Sequence, residues 1–87
     1  MNITERIQQL LESELNAQNV IVEDDSWRHR GHAGAKEGGH YNVALTSAQF
    51  EGKSLVEQHA LVYRALESVM PEIHALSIKS SVPAAGK

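Results

Sequence analysis

Imidazole is the chemistry most on offer in this chain, which has five histidines and no cysteine among 87 residues. His29, His32 and His40 fall within a short stretch, and His59 and His74 follow singly. Neutral imidazole binds iron and other transition metals well, and its protonation near neutral pH raises local charge on acidification. His29 and His32 are spaced i, i+3 in a glycine-bearing segment. By itself such a pair is weak warrant for a metal, and a solvated polar loop is the ordinary reading. On periodicity alone His74 reads as a strand-end histidine bonded to backbone, placed near the rim by Pro71 and Glu72. His40 opens a strand, shares a face with Asn42 and is expected to touch the base of the loop. His59 shares a helical face with Leu55, Val62 and Leu66, which makes it a structural residue.

What the chain lacks narrows the field further. Without cysteine there is no thiol nucleophile, no CxxC redox pair, no thiolate zinc site and no self-sufficient four-thiolate iron–sulfur site. HExxH and phosphate-binding glycine motifs are absent, and Asp24 and Asp25, adjacent in sequence, do not make an acid/base pair. The expectation is therefore a protein that is not an enzyme. Eight Lys and Arg against eleven Asp and Glu leave a formal charge of −3, which gives no general pull on nucleic acid or anionic membrane. The N-terminal stretch has spaced apolar residues and no basic n-region, unlike a signal peptide. No segment is long enough to span a bilayer, so the expected compartment is the cytoplasm.

The elements that must position these histidines are legible from periodicity. Ile3, Ile7, Leu10, Leu11 and Leu15 predict a helix from about Ile3 to Ala17, with Asn2 and Glu5 as its capping box. Val20–Glu23 predicts a short strand. The polar run DDSWRHRGHAGAKEGG reads as a long loop. His40–Thr46 predicts a second strand, antiparallel to the first, with Tyr41, Val43 and Leu45 facing the helices. Phe50 plugs the core beside a short helical turn, and Gly52 turns the chain. Ser54 and Glu57 cap a main helix reaching Val69, stopped by Pro71. Leu55, Val62, Leu66 and Val69 line its inner side, widened by Val56, Tyr63 and Met70. Ile73–Ile78 predicts the last strand, with His74 in phase with Leu76 and Ile78, and SSVPAAGK reads as a fraying tail. The fold class is α+β, with helices on one face of a three-stranded sheet. One domain spans 1–80, followed by a flexible tail at 81–87.

With these elements in place, the chain resembles the BolA family along nearly its whole length. The resemblance runs through ERIQQLLESEL, VEDDSWRHRGHAG, HYNVALTS, FEGKSLVEQHALVY and IHALSI. It implies a variant of the type II KH fold, ordered α-β-β-α-α-β. It also implies a partner, a monothiol glutaredoxin, with which family members hold a [2Fe–2S] cluster. The glutaredoxin cysteine and a glutathione thiol supply two ligands, and the BolA-type protein supplies the others. By the same resemblance His74, in the HAL segment, is one cluster ligand, and a loop histidine, His29 or His32, is the second. His29 aligns more directly with the family's loop position, and RHRGHAG looks like the histidine-type subfamily. The implied roles are cluster trafficking or iron homeostasis, in a chain that is a monomer or weak homodimer when alone. Many members carry Arg-His-Arg on the main helix, where this chain has Gln58, His59 and Ala60. That departure weakens the alternative reading, a KH-like nucleic-acid-binding transcriptional regulator. A GxxG is present at Gly31–Gly34, but it lies between strands, whereas a KH clamp needs it between helices. At most weak DNA binding is expected.

Overall fold

A computed structural model describes residues 2–25 and 39–84. The chain runs through helix α1 (Ile3–Leu15), strand β1 (Gln18–Asp24), strand β2 (Gly39–Thr46), a 3-10 turn (Ala48–Phe50), helix α2 (Leu55–Ala65), a 3-10 segment (Glu67–Glu72) and strand β3 (Ile73–Ser81). Both capping boxes form. Asn2 Oδ1 accepts the Glu5 N–H at 2.9 Å and Ser54 Oγ accepts the Glu57 N–H at 3.2 Å, with each glutamate reaching back to its cap. These bonds satisfy donors that a helix start otherwise leaves open. Asn16 ends α1 in the left-handed conformation at φ 51°, so the helix stops short of the predicted Ala17.

The sheet order is β1-β2-β3, with β1 antiparallel and β3 parallel to β2. Tyr41, Val43 and Leu45 of β2 are buried with Ile7, Leu11 and Leu15 of α1, Phe50, and Val62, Leu66 and Val69 from the α2 region in one core. Both helices therefore cover the same sheet face, as the alternation in β2 predicts. Each large side chain fully withdrawn from water here contributes roughly 1.5–3 kcal/mol. Ser47 ties the layers together: its buried Oγ donates to the Leu15 carbonyl at 2.7 Å and accepts the Gln49 N–H at 3.1 Å.

Three expectations need correction. The main helix does not run to Val69 as one element. It ends at Ala65 and passes into the 3-10 segment, which contains Pro71. Proline offers no N–H to the Glu67 carbonyl and disfavours the α conformation at Met70. The buried face of α2 is also narrower than its apolar residues predict: Leu55, Val56 and Tyr63 are exposed. Val56 and Tyr63 lie about a quarter turn from the direction set by Val62 and Leu66, and Leu55 sits in the first turn. Finally, Ser80 and Ser81 do not fray. They pair with Leu45 and Thr46 of β2, and the Ser81 carbonyl accepts the Ser47 N–H at 3.0 Å. Residues 85–87 lie outside the described residues. No helix among the described residues is long and apolar enough to cross a membrane.

Candidate metal-binding edge

At one end of the sheet three chain segments meet: the exit from β1, the start of β2 and the start of β3. The Asp25 N–H donates to the His40 carbonyl at 2.7 Å. Both ends of the connection at 26–38 are thus tied to this edge, and His40 does contact the loop base. The Arg6 guanidinium holds the Glu72 carboxylate at 3.1 Å, joining α1 to the residue two before His74.

The register of β3 against β2 decides where His74 stands. Gly39 pairs with Ile73 and His40 pairs with Ala75, so one step on β2 faces two on β3. His74 is the extra residue of a β-bulge, a device that bends a strand and re-aims side chains. Strict alternation would have put His74 on the helix-facing side with Leu76 and Ile78. Instead Ile73 takes the core position, 8% exposed, and His74 is exposed. Rim placement is as expected for this residue; the phase is not.

The bulge also makes a pairing that the sequence reading missed. The rings of His74 and half-buried His40 lie side by side, centroids 5.0 Å apart and planes tilted by 47°. The two residues are far apart in sequence, and only the parallel pairing of β2 with β3 joins them. Gly39 supports the same corner, because its missing side chain leaves room for the Tyr41 ring.

His29 and His32 lie outside the described residues, as do Trp27 and Gly31–Gly34. Among the described residues no group of three or more His, Asp or Glu side chains is arranged to hold a metal ion. His59 is half-buried on α2, and its Nε2 is buried with no hydrogen-bond partner among the described residues. Gln58 bridges elements, donating to the Lys53 carbonyl at 2.9 Å and accepting from Ser80 Oγ at 2.6 Å. Ala60, Lys53 and Lys79 are exposed.

Comparison with known proteins places this geometry in a family. Residues 11–85 match the family model described as BolA-like protein. The chain is 41% identical to chloroplastic protein BOLA1 of Arabidopsis thaliana over 94% of its own length, and it spans about half (54%) of that relative. The solved BolA domain of SufE1 from Arabidopsis thaliana is similar at a TM-score of 0.82 and 40% identity, covering 99% of each chain. The DNA-binding transcriptional regulator BolA of Escherichia coli is 33% identical, over 90% of this chain and 73% of that protein.

Proposed function

This chain belongs to the BolA-like protein family, and we propose that it shares a [2Fe–2S] cluster with a monothiol glutaredoxin and glutathione, as an interaction protein of cluster trafficking or iron homeostasis. The observation that carries the reading is His74. It stands exposed on a β-bulge at the sheet edge to which both ends of the His29 and His32 connection are anchored. The donor chemistry fits: the chain has no thiol, so its contribution to a shared cluster comes from imidazole. His74 supplies one ligand, and His29 or His32 supplies the second. Histidine ligation raises the potential of such a cluster relative to all-thiolate ligation. In this role the chain itself does three things. It holds His74 between two ladder-paired residues of β3, keeps that ring clear of the core, and brings the ends of a histidine-bearing connection to the same edge.

A second reading, a nucleic-acid-binding regulator, is favoured by the name of the Escherichia coli relative. Against it, the chain carries a net charge of −3 and has Gln58 and Ala60 on α2. Gln58 is bonded to Lys53 and Ser80 rather than offered to a phosphate.

Anaerobic reconstitution separates the two. The chain, a monothiol glutaredoxin and glutathione are mixed with iron and sulfide, alone and together. A 1:1 heterocomplex carrying a cluster with a spectrum unlike that of the glutaredoxin homodimer is expected. If the glutaredoxin spectrum is unchanged by the chain and no heterocomplex elutes, the cluster reading is wrong.

A further inference from the structure

We propose that His40 and His74 form a two-imidazole site that takes a single borderline divalent cation, of the Zn²⁺, Co²⁺ or Ni²⁺ kind, when no cluster-bearing partner is present. The pair shares His74 with the cluster reading but does not depend on it. The ion needs only the isolated chain.

Three features support the assignment. The first is separation. Two imidazoles bound to one roughly tetrahedral cation through bonds of about 2.1 Å have ring centroids about 5 Å apart, and the observed value is 5.0 Å. The 47° tilt is compatible, because each ring turns about its own metal–nitrogen bond. The second is placement. The two donors come from adjacent strands of one sheet: His40 pairs with Ala75 in the ladder, and His74 is fixed between Ile73 and Ala75, which pair with Gly39 and His40. Sites built on strands are more precisely held than sites on loops. The bulge brings His74 beside His40 at a position where regular pairing would have turned it inward. The third is ligand type. Imidazole suits Zn²⁺, Co²⁺ and Ni²⁺, and exposed His74 leaves the remaining coordination positions to water or to a partner.

A consequence follows for regulation. Where His74 ligates the shared cluster, as proposed above, a cation on this pair and that cluster exclude one another at this edge. Free divalent metal then weakens cluster assembly in proportion to its occupancy of the pair.

Two aromatic rings in plain contact also sit at such a separation, and the test distinguishes packing from chelation. The tag-free full chain is titrated with Co²⁺, followed by visible absorption, and with Zn²⁺, followed by ¹⁵N shifts of the imidazoles. One ion per chain is expected, with Zn²⁺ shifting the His40 and His74 nitrogens together in the wild-type protein. His40→Ala and His74→Ala should each weaken binding at least tenfold, with circular dichroism confirming the fold. The double variant His29→Ala/His32→Ala should bind within threefold of wild type. The proposal is overturned if the wild-type His40 nitrogens do not respond to Zn²⁺, if His40→Ala binds like wild type, or if the loop double variant loses the ion. None of these outcomes bears on reconstitution with glutaredoxin, which tests the cluster reading separately.

Discussion

Gly39→Ala tests the corner that sets the histidine edge. A Cβ added there would lie 2.5 Å from Tyr41 Cε2, 2.6 Å from its Oη and 2.7 Å from its Cζ. Tyr41 is 6% exposed and packed in the core, so the ring cannot simply yield. In open space the substitution would stabilise the strand by roughly 0.5–1 kcal/mol, because alanine loses less backbone entropy than glycine. Overpacking against a buried ring costs about 1–3 kcal/mol, so the clash matches or outweighs the entropy and the net loss is roughly 0–2.5 kcal/mol. Unfolding entropy of about 2.1 cal/mol/K per residue turns that into a Tm fall of up to about 14 °C for a chain of this size. The assay is thermal unfolding of Gly39→Ala, Tyr41→Leu and the double variant. With the ring removed, the alanine should be neutral or stabilising, giving a coupling of about 1 kcal/mol or more between the two sites. A coupling within about 0.3 kcal/mol of zero would refute the steric argument.

Ser47→Ala leaves the Leu15 carbonyl without its buried donor and removes the bond to the Gln49 N–H; a loss of about 1–3 kcal/mol in urea unfolding is expected. Arg6→Ala should change stability by no more than about 0.5 kcal/mol, because the pair with Glu72 is 40% and 52% exposed and screened by water. DNA affinity should be weak and insensitive to sequence at physiological salt, as a salt titration of fluorescence anisotropy would read; tight, sequence-dependent binding would promote the regulator reading.

Local signals were legible in the residues. The stripe of Ile7, Leu11 and Leu15, the capping boxes at Asn2 and Ser54, and the alternation of Tyr41, Val43 and Leu45 all depend on near neighbours, and all appear in the fold. What depended on pairing was not legible. β3 extends to Ser81 because β2 supplies ladder partners for polar residues with no strand signature of their own. The orientation of His74 is set by a bulge against Gly39 and His40, which no spacing within IHALSI encodes. His40 looked like a loop-base residue, and it is one, yet its ring neighbour lies on a strand distant in sequence. Exposed Leu55, Val56 and Tyr63 show the limit of reading a helix by apolar count: the neighbouring layer, not the helix, decides how wide the buried face is. His29 and His32 rest on resemblance and chain connection, since they lie outside the described residues.

The cluster claim rests on His74, and its most direct test is EPR of the reduced, reconstituted complex of this chain with a monothiol glutaredoxin and glutathione. His74→Ala should remove the mixed-ligand signal and shorten cluster lifetime, while the apo protein melts within about 0.5 kcal/mol of wild type, as expected for an exposed side chain. An unchanged signal and lifetime in His74→Ala would contradict the proposed ligand set and return this histidine to an ordinary place on the rim of a sheet.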